Sequence, residues 1–296
     1  MSTVAFIGLG NMGSGMCANL CRAGIEVRAF DLSRAAMDRA AEAGAQLAES
    51  ADAAAAGAEI VVTMLPAGTH VLDVYFDTGK VAQTASPGAL FIDCSTIAVE
   101  DARTAHARAR EAGFALVDAP VSGGVAAAEA GSLTFMVGGE VADFERARPI
   151  LEAMGKNIFH AGGAGNGQAA KIANNMLLGV SMIATCEAFN LAERLGLDAQ
   201  TFFDISSKAS GQCWSMTTYC PAPGPVPAAP SNRDYQPGFS VAMMLKDLKL
   251  AMGAAAGAGA DTDFGKAAEQ AYQALADAGH GDRDFSIPML GLKGEL

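Results

Sequence analysis

Three glycines after a short apolar run restrict this chain more than any other feature. Thr3-Val-Ala-Phe-Ile-Gly8 is rich in β-formers, and Gly8-Leu-Gly10-Asn-Met-Gly13 follows at once. Ser14 to Gly24 then reads as a helix stopped by a glycine cap, and Ile25 to Asp31 as a second strand ending in an acid. A bare GxGxxG is weak evidence. Between a strand and a helix, with Asp31 closing the next strand, it is the fingerprint of a dinucleotide site. Gly8 allows the tight turn, Gly10 lets the backbone approach a pyrophosphate, and Gly13 lets helix and strand pack closely. The helix N-terminus offers free N–H groups and a positive dipole end to the phosphates. Leu9, Asn11 and Met12 complete this loop. Asp31 can accept hydrogen bonds from ribose hydroxyls and would repel a 2′-phosphate, which favours NAD over NADP. Arg34 dissents, because a guanidinium there could meet a 2′-phosphate; it is read as a helix-surface residue. The rival reading of this N-terminal stretch is a Gly-rich turn in an unrelated α/β domain.

Strand and helix signals alternate through the first half. Glu59–Leu65 reads as a buried strand stopped by Pro66, and Ala89–Cys94 as another. Ser95-Thr96 is expected to cap a helix through Val99 to Ala112. Phe114–Asp118 leads into Pro120-Val-Ser122-Gly123-Gly124, and Ser132–Gly138 is a further strand. A helix from Val141 to Met154 precedes a last strand around Asn157 to His160. The alternation predicts an α/β fold, a Rossmann-type doubly wound sheet with helices on both faces. Gly162, Gly163, Gly165 and Gly167 mark a boundary, beyond which strand signals fade. The expected domains are 1–163, binding the dinucleotide, and 164–296, an all-α C-terminal domain for substrate and oligomerisation. Ala169 to Leu195 reads as one helix, apolar almost all round and therefore buried on most sides. Pro221 to Pro230 cannot be helix and is expected to be a stiff surface connector in polyproline conformation.

Composition narrows the partners. With 32 Asp+Glu against 20 Lys+Arg the net charge is −12, and no basic tract stands out. That argues against nucleic acid and against attachment to anionic membranes. The six cysteines include no CxxC, and the four histidines show no ligand spacing, so no metal and no disulfide framework is expected. The first strand begins at the third residue, which predicts no signal peptide. The apolar segment Met176 to Cys186 is too short to span a bilayer.

Lys171 lies in Gly165-Asn-Gly-Gln-Ala-Ala-Lys171-Ile-Ala-Asn174-Asn175. A lysine at the start of an apolar helix is costly to bury as a cation. Two asparagines follow at i+3 and i+4, on one helix face with it. A lysine among neutral amides suits general acid/base work; a lysine that snorkels from a helix end fits the same residues.

These residues resemble the β-hydroxyacid dehydrogenases nearly end to end. Phe6–Gly13 is similar to that family's cofactor loop and Asp118-Ala-Pro-Val-Ser-Gly-Gly124 to its substrate loop, with Leu133–Gly139 following. Gly165–Asn175 is similar to its catalytic helix and Lys246-Asp247-Leu248 to its C-terminal lysine motif. Ser210–Ser215, Tyr219, Pro221, Pro223-Gly224, Tyr235 and Gly238-Phe239 are similar to the branch that oxidises 3-hydroxyisobutyrate to methylmalonate semialdehyde in valine breakdown. Leu290 to Leu296 match no motif.

The resemblance implies an NAD-dependent enzyme in which Lys171 and Asn175 are catalytic. It implies that Ser122, Gly123 and Gly124 hold the substrate carboxylate, that Trp214 and Phe239 wall its pocket, and that Leu65, Pro66, Thr96 and Lys246 meet the cofactor. It also implies a cytoplasmic, bacterial homodimer or homotetramer built on the helical half. Tartronate semialdehyde, L-serine and 4-hydroxybutyrate stand as alternative substrates, and a non-catalytic nucleotide-binding module as the alternative to an enzyme.

Overall fold

Val4–Ile7 is an unbroken, wholly buried apolar run, as expected of a strand covered on both faces. In the computed structural model, which describes residues 3–296, this run is β1, an inner strand of a nine-stranded sheet. The chain divides into two compact units, the first ending at Lys171 and the second running Ile172–Leu296.

In the first unit β1 is followed by α1 (Asn11–Arg22), β2 (Val27–Phe30), α2 (Arg34–Glu42), β3 (Gln46–Leu47), α3 (Ala51–Ala55) and β4 (Ile60–Thr63). Then come α4 (Gly68–Phe76), α5 (Val81–Thr84), β5 (Leu90–Asp93), α6 (Val99–Glu111), β6 (Ala115–Asp118), β7 (Val121–Ser122) and α7 (Gly124–Ala130). β8 (Leu133–Gly138), α8 (Val141–Glu152) and β9 (Gly155–Gly162) close the sheet. The strand order is β3-β2-β1-β4-β5-β6-β8-β7, with β9 paired to β8. β3 to β6 are mutually parallel, whereas β8 runs antiparallel to both β6 and β7. Strand alternation sends Val4 and Phe6 to one face, against Met16, Leu20, Phe144 and Leu151. Ala5 and Ile7 face the other, against Val71, Tyr75, Ala102 and Ala109. The doubly wound expectation is met.

Two local expectations are corrected. α1 begins at Asn11, not Ser14: Gly10 is its N-cap, and Ser14 N donates to Gly10 O at 2.9 Å. The glycine loop is itself the first helical turn. Ser95-Thr96 does not cap α6, whose N-cap is Ala98 with no side-chain bond. The Ser95 hydroxyl is engaged elsewhere, donating to Asp93 Oδ1 at 2.6 Å and accepting from Leu65 N at 2.8 Å.

α9 (Asn166–Arg194) begins in the first unit and continues into the second, which adds α10 (Ala199–Ser206), α11 (Trp214–Thr217), α12 (Val241–Ala258), α13 (Asp263–Leu275) and α14 (Pro288–Lys293). Met182, Cys186 and Phe189 of α9 pack in a core with Met244, Leu248, Tyr272 and Phe285. The expectation that α9 is buried on most sides is corrected. Leu177 and Leu191 are 64% and 59% exposed, and with Ala184 they form a stripe at heptad spacing. At 29 residues α9 is also long and apolar enough, by length and composition, to cross a membrane. The shorter count from Met176 to Cys186 missed this, because it stopped at single polar residues.

The Pro221–Pro230 segment is not an extended surface connector. Pro221, Ala222, Ala229 and Pro230 are buried, and the loop folds back on itself. Asn232 accepts from Gly224 N and donates to Val226 O, while Ser231 Oγ donates to Cys220 O and Tyr235 Oη to Pro221 O. These side chains replace the ladder bonds that proline cannot make. Of the unmatched C-terminal residues, 290–293 belong to α14, where Lys293 Nζ lies 2.8 Å from Glu193 Oε2.

Candidate active site

The order of strands reverses between β1 and β4, the switch point where an open parallel sheet binds its ligand. Gly8 has φ +98°, and a Cβ there would lie 2.2 Å from Met64 O at the end of β4. A Cβ on Gly13 would lie 2.0 Å from Gly8 O. Both contacts exclude any side chain. A Cβ on Gly10 meets no atom of the chain within 4 Å. The turn is thus crowded on its sheet side and open at Gly10, where the first N–H groups of α1 emerge. Backbone donors at a helix start, without a bulky side chain, fit a dinucleotide's diphosphate.

Asp31 braces this turn. Its Oδ2 accepts from Leu9 N and its Oδ1 from Ser33 N, each at 2.6 Å. Ser33 caps α2 by accepting from Ala36 N. Arg34 is exposed and pairs with Asp38 at 2.9 Å, so it sits on the helix surface.

Leu65-Pro66 and Thr96 follow the ends of β4 and β5 on the same edge, Leu65 and Thr96 half-buried and Pro66 exposed. Asp93, at the end of β5, holds these two ends together through Ser95. Its Oδ1 accepts from Thr63 Oγ1 at 2.8 Å and from Ser95 Oγ, whereas its buried Oδ2 has no hydrogen-bond partner among the described residues. Burial pushes the Asp93 carboxyl up to about 6, against the lowering effect of the Ser95 and Thr63 bonds.

Ser122 ends β7, opposite Thr134 of β8. Gly123 and Gly124 follow with φ +134° and +72°, a backbone that side-chain-bearing residues rarely adopt. The pair places two N–H groups without side chains directly after Ser122 in the chain.

On α9, Gln168, Lys171 and Asn175 share one helix face, and Lys171 is only 7% exposed. Asn175 Nδ2 donates to Asp247 Oδ2 of α12 at 2.6 Å, and Asn175 Oδ1 accepts from Asn174 Nδ2 at 3.0 Å. These bonds fix which way the Asn175 amide presents its oxygen. Lys246, beside Asp247, is half-buried.

In the second unit Trp214 is 47% exposed and stacks on Tyr219 at 5.0 Å. Tyr219, Phe285 and Phe239 continue the row at 5.2 and 5.5 Å. Buried Asp284 holds the row in place: its Oδ2 accepts from Tyr219 Oη at 2.8 Å and Gly238 N at 3.0 Å. Sequence reasoning missed Asp284, whose surroundings carry no motif. It also missed Asp118 as a hydrogen-bonding centre, although Asp118 opens the quoted substrate loop.

Residues 3–163 match the NAD binding domain of 6-phosphogluconate dehydrogenase. Residues 165–290 match the family described as NAD-binding of NADP-dependent 3-hydroxyisobutyrate dehydrogenase. The chain is 52% identical to a probable 3-hydroxyisobutyrate dehydrogenase of Mycobacterium tuberculosis over 97% of this chain and 96% of that protein. It is 48% identical to an NAD-dependent L-serine dehydrogenase of Pseudomonas aeruginosa, over 97% and 96%. A solved structure of Mycobacterium tuberculosis 3-hydroxyisobutyrate dehydrogenase with L-serine superposes with a TM-score of 0.93 at 51% identity, covering 99% of both chains.

Proposed function

The chain belongs to the 3-hydroxyisobutyrate dehydrogenase family of NAD-dependent β-hydroxyacid dehydrogenases, and on that premise we propose that it oxidises 3-hydroxyisobutyrate to methylmalonate semialdehyde, as in valine breakdown, with Lys171 as general acid/base. The observation that most supports this is Lys171 itself. Among the described residues no other lysine or arginine is so buried, and it shares a helix face with Asn175. A buried amine that can trade one proton suits a reaction that releases one.

Bound NAD would supply the hydride acceptor for the carbon that bears the substrate hydroxyl. The Ser122 hydroxyl and the N–H groups of Gly123 and Gly124 hold the substrate carboxylate without a charged side chain. Lys171 Nζ, as the free amine, takes the alcohol proton and becomes the ammonium; in the reverse direction it returns that proton to the carbonyl oxygen. Asn175, one turn on, orients the substrate or the lysine. Trp214 and Phe239 contact the apolar part of the substrate. Gly8, Leu9, Gly10, Asn11, Met12, Gly13 and Asp31 bind the adenosine diphosphate half of NAD. Leu65, Pro66, Thr96 and Lys246 border the rest. The enzyme is cytoplasmic and works as a homodimer or homotetramer, in which a second copy covers the exposed stripe of Leu177 and Leu191. A light-scattering mass near the 30.1 kDa chain mass would overturn that assembly.

L-Serine is the second reading, favoured by the Pseudomonas aeruginosa relative, an NAD-dependent L-serine dehydrogenase, and by the L-serine that accompanies the superposed Mycobacterium tuberculosis structure. Turnover on a panel of 3-hydroxyisobutyrate, L-serine, glycerate (the alcohol of tartronate semialdehyde) and 4-hydroxybutyrate, followed by the absorbance of reduced nicotinamide, separates the two. The highest kcat/KM is expected for 3-hydroxyisobutyrate. A higher value for any other acid overturns the substrate assignment and leaves the family intact.

A further inference from the structure

The start of α9 is held by two side chains that the proposed chemistry does not use. Asp118, at the end of β6, is buried. Its Oδ1 accepts from Gly165 N at 2.9 Å and its Oδ2 from Gln168 N at 3.0 Å. One carboxylate thus satisfies two of the donors that a helix start leaves open, and it sets a negative charge against the positive end of the helix dipole. His106 Nε2 lies 2.9 Å from the same Oδ1. Gln168 is wholly buried; it donates through Nε2 to Ser95 O at 2.7 Å and accepts at Oε1 from Ile97 N at 3.1 Å. Its amide spans the loop that carries Thr96.

Packing leaves this turn no slack. A Cβ on Gly167 would lie 2.4 Å from Met136 O and 2.5 Å from Asp118 O, and one on Gly138 would lie 2.6 Å from Gly167 N. The first turn of α9 therefore rests directly on the ends of β6 and β8. Lys171 is one turn beyond Gln168 on the same face, so the height and rotation of the turn set where Nζ stands.

We propose that Asp118 and Gln168 are positioning residues for Lys171, a clamp that fixes the first turn of α9 against the sheet. The clamp acts through the lysine and touches neither substrate nor cofactor. A misplacement of about 1 Å can cost on the order of a hundredfold in rate, which is the scale on which such a clamp acts. This inference rests on the assignment of Lys171 as the acid/base.

The test is a double-mutant cycle on turnover, with Asp118→Asn and Gln168→Met each made alone and in a Lys171→Ala background. Alone, each is expected to lower kcat by roughly tenfold or more, with the Kd for NAD changed less than twofold. In the Lys171→Ala background each is expected to change kcat by less than about twofold, because the group they position is gone. Gln168→Glu, which keeps the acceptor, is expected to recover part of the loss. A penalty that persists undiminished without Lys171 overturns the clamp. Near-normal kcat in both single variants overturns it as well. If Lys171→Ala alone keeps near-normal turnover, the acid/base assignment fails first and carries the clamp with it. Should Asp118→Asn not fold, Gln168→Met decides the matter by the same cycle.

Discussion

Leu9 N donates to Asp31 Oδ2 over 2.6 Å, so the acid after β2 holds the glycine turn after β1. Asp31 therefore has a structural bond beside its expected contact with the ribose. The double variant Asp31→Ala/Ser33→Arg should shift preference toward NADP, by removing the acid and adding a cation for the 2′-phosphate. Its cost is legible too. The brace on Leu9 goes, and so does the Ser33 cap on α2, which is worth about 1 kcal/mol. Kd values for both dinucleotides and a thermal melt check this. A variant that still prefers NAD by the native ratio would place discrimination elsewhere.

Gly10 and Gly13 should behave oppositely. Gly10→Ala meets no chain atom within 4 Å and has an ordinary φ of −61°, so stability should change by less than about 0.5 kcal/mol. Its methyl stands where the diphosphate is expected, and NAD affinity should fall about tenfold, or ~1.4 kcal/mol. Gly13→Ala drives a Cβ to 2.0 Å from Gly8 O and should destabilise the fold itself. Denaturation and NAD titration of both separate the effects. Unchanged NAD affinity in a folded Gly10→Ala protein would contradict the placement.

Ser122→Ala should raise KM for the hydroxyacid and leave NAD affinity alone. It removes one hydrogen bond to a carboxylate, worth about 1.5–3 kcal/mol. Equal weakening of both ligands would put Ser122 outside the carboxylate cradle.

Asp93 gives a pH dependence with a definite sign. Its carboxyl is pushed up to about 6 in the folded protein, so between the ordinary carboxylate range near ~4 and about 6 the folded chain binds more protons than the unfolded one. Stability from this residue is full below that window, falls as pH rises through it, and is lost above about 6. The total is on the order of 3 kcal/mol. Asp93→Asn keeps an acceptor for Thr63 and Ser95 but cannot ionise. Urea unfolding at several pH values should show the variant gaining on the native chain from pH ~4 to ~6. A gap that is constant across this range would mean that burial does not raise the Asp93 carboxyl.

What could be read in the sequence was set by local pattern. The inner strands are short apolar runs between glycine or proline breaks, and Gly8, Gly13 and Asp31 stand in fixed order along them. The structure puts each where that order implies. What could not be read depends on neighbours distant in sequence. Ser95 looks like a helix cap, but Asp93 and Leu65, brought alongside it by the sheet, take its hydroxyl. The prolines of 221–230 suggest an extended strut, but Asn232, Ser231 and Tyr235 fold it into a compact loop. Asp118 gave no sign of its role, because its partners Gly165 and Gln168 lie more than forty residues away. The exposed face of α9 was hidden for a different reason: apolar composition reports a preference for burial and not which partner provides it.

The most direct measurement is steady-state turnover of Lys171→Ala beside its NAD affinity. Turnover with 3-hydroxyisobutyrate should fall by roughly a hundredfold or more, the range for loss of a general acid/base. NAD affinity should stay within about twofold, because Lys171 is assigned to proton transfer and not to cofactor binding. Near-normal turnover in this variant, with NAD still bound, would contradict the mechanism.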